Sequence, residues 1–172
     1  MSNPSSRPEA NGFLDAALEY AARGWLVLPL KPGSKAPITR HGFKDASKSK
    51  RTIRRWWRKH PDANVGVRTG RESGLVILDV DRHGDADGEA SLAELAREHA
   101  DVPTTLEVRT PNGGRHLYFA HPGREVRSRT GLRPGVDLKG EGGYVVAPPS
   151  MLEGCGEPYA AQNGSALAPT PE

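Results

Sequence analysis

The chain has 172 residues, a formal net charge of +3 at pH 7, 20 glycines and 15 prolines. This length suits one domain, or one domain with a small lobe, and the glycine and proline content predicts many long loops. No apolar run is long enough to span a membrane, and the first residues lack a signal-peptide core. The single cysteine, Cys155, excludes an internal disulfide and a cysteine-based zinc site, so we expect a protein of the reducing cytoplasm without a membrane partner.

The first half of the chain predicts a helix, a strand and a basic block. Residues 1–10 are expected to be a disordered leader, before a helix whose apolar face starts at Phe13. A strand over residues 25–28 follows and is closed by Pro29. Between Arg40 and Arg71, eleven lysines and arginines stand against two aspartates, which leaves a charge of −6 for the rest of the chain. Such a block favours a polyanionic partner, and the alternative is a solvated helix face.

A helix that ends near residue 60 carries most of this basic block. Ser47 or Ser49 can cap it, and its two tryptophans are interpreted as core anchors in preference to base-stacking platforms. The cations on its other faces can meet a phosphate backbone, and Lys35 in an earlier loop can reach a phosphate, although it also fits a solvated loop residue. The predicted DNA-binding set is Lys35, Arg51, Arg54, Arg55, Arg58 and Lys59.

The most informative stretch covers residues 75–81, an apolar run that reads as a buried strand and ends in two acids. Because alternate side chains of a strand point to the same face, Asp79 and Asp81 are expected to project together. Two such carboxylates repel each other unless a divalent cation lies between them. The alternative is that the strand simply ends and both acids are solvated turn residues.

Two later strands repeat this arrangement of polar residues on one face. Strands over residues 104–110 and 115–120 flank a turn at 111–114, and the second places His116 and Tyr118 together. A strand over residues 136–139 places Asp137 beside Lys139, and another covers 144–147. A helix is predicted over residues 89–99, before the strand over 104–110. The predicted domain spans residues 11–160, and residues 161–172 are predicted to be a linker-like tail.

These strands suggest a common site if they pair in one sheet with their polar faces aligned. Three carboxylates then suit Mg²⁺ or Mn²⁺ better than zinc, and two such ions can serve phosphoryl transfer. His116 and Lys139 would supply donors to a triphosphate.

The ordered set of motifs resembles the bifunctional DNA primase/polymerase N-terminal (prim-pol) domain of the archaeo-eukaryotic primase superfamily. The resemblance runs from about Leu14 to Tyr159. It is carried by residues 24–30, 35–37, 64–70, 79–81, 110–119, 135–140 and 147–150.

The resemblance implies a role for each matching residue. Asp79, Asp81 and Asp137 correspond to the catalytic, metal-binding triad, and His116 corresponds to the nucleotide-binding histidine. The family usually has a small hydroxyl residue two positions before that histidine, where this chain has Gly114. A backbone N–H of Gly114 or the Thr110 hydroxyl is expected to replace that contact. Further contacts to the triphosphate are expected from Arg115 and Lys139.

The resemblance also implies a fold and an activity. The expected fold is α+β, with an RRM-like antiparallel or mixed sheet as catalytic core and a smaller N-terminal α/β unit. The expected activity is template-dependent nucleotidyl transfer from a (d)NTP to a 3′-OH, in replication of a plasmid, phage or integrated element. Expected partners are single-stranded DNA template, primer, (d)NTP and a downstream helicase, with the isolated domain a monomer. A non-catalytic single-strand-binding module and a metal-dependent nuclease or phosphoesterase are the alternatives.

Overall fold

The structure is a computed structural model that describes residues 10–83 and 86–171. The chain forms two compact units, Met1–Arg68 with Tyr144–Ala160 and Thr69–Gly143 with Ala161–Glu172. The described residues are α+β, with three α-helices and mostly antiparallel sheets. The predicted leader, except for Ala10, lies outside the described residues. Within the described ranges, no helix is long and apolar enough to cross a membrane.

The bounds of the elements in chain order are as follows. The helices are α1 (Ala10–Ala22), α2 (Lys50–Lys59) and α3 (Gly88–Glu98), with short 3-10 helices at Gly42–Asp45 and Arg71–Ser73. The strands are β1 (Val27–Leu30), β2 (Asn64–Arg68), β3 (Leu75–Val80), β4 (Arg82–His83), β5 (Ala86–Asp87), β6 (Leu106–Arg109), β7 (Arg115–Ala120), β8 (Arg129–Arg133), β9 (Val136–Lys139), β10 (Tyr144–Ala147), β11 (Ala160–Ala161) and β12 (Ala168–Pro169).

The first unit contains α1, α2 and an antiparallel sheet in the order β1-β2-β10. The predicted strand runs two residues further than expected, and Pro29 lies inside β1 opposite Val65. Proline is tolerated there because β1 is an edge strand of this sheet. Its missing N–H therefore does not remove a hydrogen bond to a further strand. Helix α2 begins as predicted, with the Ser49 hydroxyl accepting a hydrogen bond from the Thr52 N–H at 3.3 Å.

The second unit is built on a sheet in the order β11-β6-β7-β3-β9-β8, with β12 pairing in parallel with β7. One face of this sheet packs on α3, in a core of Val80, Leu92, Leu117 and Phe119. Burial of these apolar side chains fixes which face each strand presents, because a one-residue slip would expose all of them. The opposite face therefore receives the polar residues that alternate with them.

Two parts of the second unit differ from the sequence prediction. Strand β8 is an addition to the predicted elements. The tail expected to be a linker instead contributes β12, where Ala168 pairs with Phe119. The Ala168 N–H donates to the Thr105 hydroxyl at 3.0 Å, and the Thr170 hydroxyl donates to the Ala120 carbonyl at 2.6 Å. The Thr105 hydroxyl and the Ala120 carbonyl at the end of β7 provide these partners, which the small, polar composition of the tail does not reveal.

Candidate active site

Three neighbouring strands of the second unit bring an acid, a histidine and a second acid into one row. Asp79 on β3 lies directly opposite His116 on β7 and directly opposite Asp137 on β9. Directly paired residues in antiparallel strands project to the same face, with Cβ atoms about 4.5–5.5 Å apart. The alignment expected from the alternating pattern is thus present in the sheet.

A second row lies one step along the same face of the sheet. Ile77 on β3 is paired with Tyr118 on β7 and with Lys139 on β9. Ile77 and Tyr118 are buried, so this row is apolar in its middle. Lys139 extends from this second row toward the first, where it meets a carboxylate.

Both acids of the first row have basic or N–H partners. The Asp79 Oδ1 lies 3.3 Å from His116 Nε2, and the His116 side chain is 5% exposed. The Asp137 Oδ2 lies 2.9 Å from Lys139 Nζ, and its Oδ1 accepts a hydrogen bond from the Gly131 N–H at 2.7 Å. Gly131 lies in β8, so the element missing from the sequence prediction supplies one contact of the row.

Asp81 follows β3 and lies outside the strand, in contrast to the predicted strand that included it. Its N–H donates to the Gly135 carbonyl at 2.8 Å, and its carbonyl accepts from the Gly88 N–H at 3.1 Å. A Cβ on Gly88 would lie 2.5 Å from the Asp81 carbonyl oxygen, and one on Gly135 would lie 3.1 Å from it. Glycines thus hold the backbone of Asp81 closely on two sides.

Gly114 closes a third side of the same backbone. A Cβ at this position would lie 2.5 Å from the Val80 carbonyl oxygen and 3.3 Å from the Asp81 Cα. Its own carbonyl accepts the Thr110 N–H at 2.9 Å, and Thr110 is buried. There is therefore no space here for the hydroxyl side chain that the family usually carries. Sequence reasoning noted this glycine as a departure but did not identify its contact with Asp81.

Arg115 is not brought together with His116. Alternation places it on the opposite face of β7, where its guanidinium lies 2.8 Å from Glu89 on α3 and 3.0 Å from Glu107 on β6. Burial opposes the charged form, but the two carboxylates outweigh it and raise the pKa of Arg115 above its ordinary value. Arg115 thus ties α3 to the sheet on the face opposite His116, away from the predicted triphosphate contacts.

The donor set of the row suits a hard divalent cation, because carboxylate oxygens are the ligands that Mg²⁺ and Mn²⁺ prefer. Among residues 10–83 and 86–171, no group of three or more His, Cys, Asp or Glu side chains is arranged to hold a metal ion. Asp79 and Asp137 lie in register on adjacent strands, and the metal-binding role of the triad stays a prediction.

The predicted DNA-binding cations lie in the first unit. The five α2 residues of this set and the loop residue Lys35 are all exposed. The apolar side of the helix is buried through Ile53 and Trp57, and the Trp57 indole N–H donates to the Ala63 carbonyl at 3.1 Å. Trp56 is only half-buried, so of the two tryptophans interpreted as core anchors Trp57 lies in the core and Trp56 at its margin.

Comparison with models of protein families assigns this chain to a family. Residues 17–172 match the family described as bifunctional DNA primase/polymerase, N-terminal. The chain therefore belongs to the Prim-Pol family, and the resemblance inferred from its motifs is confirmed. It is a DNA primase/polymerase domain. A search of curated proteins found no match.

Proposed function

We propose that this domain catalyses template-dependent nucleotidyl transfer on the face that carries Asp79, His116 and Asp137. The 3′-OH of a growing strand attacks the α-phosphate of the incoming nucleotide, a new phosphodiester forms, and pyrophosphate leaves. The observation that supports this most directly is the register of Asp79 between His116 and Asp137. The family assignment supplies the substrate class, which the row of side chains alone does not define.

Asp79, Asp81 and Asp137 would hold the Mg²⁺ or Mn²⁺ ions. When bound, these ions supply Lewis-acid stabilisation of the charge on the attacking and leaving oxygens. Each carboxylate oxygen has two lone pairs, so Asp137 retains acceptor capacity beside Lys139 and the Gly131 N–H. Two observations support Asp81 as the third ligand. It directly follows β3, and glycines pack closely around its backbone.

His116 and Lys139 would bind the triphosphate. Both lie on the same face as the acids, and their partners there are carboxylates rather than other cations. A phosphate oxygen can replace a carboxylate oxygen in the same kind of charge-assisted hydrogen bond. Gly114 and Thr110, in the turn beside Asp81, stay as proposed positions for a further contact to the nucleotide.

The template strand would contact the exposed cations of α2 and Lys35, because lysine and arginine neutralise phosphates and release counterions. We place the reaction in the replication of a plasmid, phage or integrated element, with primer and (d)NTP as the other substrates and a downstream helicase as a partner. In this proposal the isolated domain acts as a monomer.

The test is incorporation of labelled nucleotide on single-stranded DNA, with and without an annealed primer, in Mg²⁺ or Mn²⁺. The Asp79→Ala variant is expected to lose incorporation while retaining its fold by circular dichroism. Glu94→Gln removes an exposed carboxylate from α3 and serves as the matched control, with activity expected to be unchanged. Full activity in Asp79→Ala would refute the assignment of this row, and shortening of the DNA would indicate a nuclease instead.

A further inference from the structure

The first unit contains a polar cavity of about 390 Å³ beside α2, and Arg55 is the one residue of its lining that belongs to the predicted DNA-binding set. This volume lies within the roughly 300–1,000 Å³ typical of small-ligand sites. The residues that matter for its chemistry are Thr39, Arg40, Asp45, Thr52, Arg55 and Trp56. The cavity thus combines one aromatic side chain, two cations and one anion.

Trp56 differs from the other tryptophans in its exposure. Trp25 and Trp57 are 4% and 2% exposed, whereas Trp56 is half-buried and lines the cavity. Successive residues of a helix are rotated by about 100°, so Trp57 can fill the core while Trp56 lies at its margin. An indole in this position has a π-face that a nucleobase can stack on without cost to the core.

The two arginines of the cavity are exposed, and its acid is already engaged. Asp45 accepts the His41 N–H at 2.9 Å through Oδ2, and its Oδ1 lies 3.0 Å from His41 Nδ1. These contacts tie the Asp45 carboxylate to its own loop. Arg40 also interacts electrostatically with Asp45. Both arginines are exposed and can meet an anionic ligand that enters from solvent.

A hydroxyl of the wall is also committed to the protein. The Thr39 hydroxyl donates to the Gly42 carbonyl at 2.7 Å. Stacking on Trp56 and charge neutralisation by the two arginines are therefore the main contacts that we expect this cavity to offer. That combination is typical of sequence-tolerant binding of single strands.

We propose that this cavity binds one nucleotide of single-stranded DNA, with its base stacked on Trp56 and its neighbouring phosphates on Arg40 and Arg55. The inference rests on the proposed function to the extent that the bound strand is the template. It adds a defined base-binding position to the non-specific attraction of the α2 cations.

The experiment measures binding of a fluorescein-labelled oligo(dT) by fluorescence anisotropy, in the absence of metal. In a second titration, unlabelled oligo(dT) is added and the tryptophan emission of the protein is recorded. In the unmodified chain, we expect the oligonucleotide to quench the emission of Trp56. Trp56→Leu should abolish this quenching and weaken binding about tenfold, while Trp56→Phe should stay within about threefold because it still stacks. Arg40→Gln should lower the slope of log K against log[salt] by about 0.7, the value for one phosphate contact on a single strand.

Arg97→Gln, which removes an exposed arginine of α3, is the matched control and should leave affinity and quenching unchanged. Circular dichroism checks that each variant is folded. If Trp56→Leu does not fold, the test is made with Trp56→Phe. Unchanged affinity in a folded Trp56→Leu variant would overturn the proposal. So would quenching by free dTTP as strong as that by oligo(dT) at equal nucleotide concentration, since the ligand would then be a mononucleotide.

The outcome is separable from that of the proposed function. The binding assay uses neither metal nor nucleotide transfer, so Asp79→Ala should show normal quenching by oligo(dT). Nucleotide incorporation that survives in Asp79→Ala would refute the proposed active site. The cavity would then be tested separately, by oligo(dT) binding and quenching in the Trp56 variants. Quenching that is independent of Trp56 would refute the cavity and leave the active site to be judged by incorporation.

Discussion

Replacing Gly114 with alanine should test how the backbone of Asp81 is held. The added Cβ would lie 2.5 Å from the Val80 carbonyl oxygen, where ordinary van der Waals contacts begin at 3.4 Å. The contact is therefore about 0.9 Å too short, and its partner is a backbone atom rather than the end of a flexible side chain. Either the hairpin or the end of β3 must move.

The size of the effect follows from that displacement. Overpacking of this kind costs about 1–3 kcal/mol of folding free energy. A displacement near 1 Å in a catalytic arrangement can lower the rate about 100-fold. Because Asp81 follows Val80 directly, we expect Gly114→Ala to lose activity more severely than stability. Gly114→Ser should behave in the same way, although it restores the hydroxyl that the family usually has at this position.

The assay pairs urea unfolding with nucleotide incorporation under conditions where each variant is folded. Gly164→Ala is the matched control, because a Cβ at that position meets no atom within 4 Å. The control should change neither quantity. A Gly114→Ala variant with the stability and the incorporation rate of the unmodified chain would refute the packing argument, and with it the inferred positioning of Asp81.

Two further predictions concern ion pairs of the second unit. Lys139→Met should tighten Mn²⁺ binding about fivefold, since it removes ~1 kcal/mol of repulsion between the lysine and a cation near Asp137. Electron paramagnetic resonance without nucleotide measures this affinity, and unchanged or weaker binding would contradict the prediction. Burial opposes ionisation of Glu141, but backbone N–H groups and His121 lower its pKa overall. A lowered pKa means that the unfolded state binds more protons, so stability should fall as pH drops below about 4.5. Urea unfolding from pH 7 to pH 3 should show a weaker decline in Glu141→Gln, and an identical decline would refute this contribution.

The sequence predicted the row of polar side chains because its signal is local. A strand alternates its faces whatever its neighbours are, so Asp79, His116 and Asp137 could each be assigned to a face from the apolar residues beside them. That these faces coincide depends on pairing between distant segments, which the apolar pattern favours but does not specify. The register of β3 with β7 and β9 provides this information.

Other features were not predictable because their signal lies in three-dimensional contacts. Alternation along β7 places Arg115 on the face opposite His116, but its two partners there, Glu89 on α3 and Glu107 on β6, come from distant segments of the chain. Strand β8 contains Gly131 at a positive φ of 66° and an irregular register, so it lacks a clear alternation. Trp56 and Trp57 are the same residue type, and their different burial depends on how α2 packs against α1 and β1, which are distant in sequence.

The central row also has an energetic implication for its role. Like charges placed directly opposite each other destabilise a sheet, and Asp79 and Asp137 occupy such positions. His116, Lys139 and the Gly131 N–H offset this repulsion. Paired charges of low exposure nevertheless contribute little net stability, and apolar residues of similar volume often do as well or better. Folding alone therefore gives little reason for two acids in the middle of this sheet, whereas the proposed binding of divalent cations accounts for them.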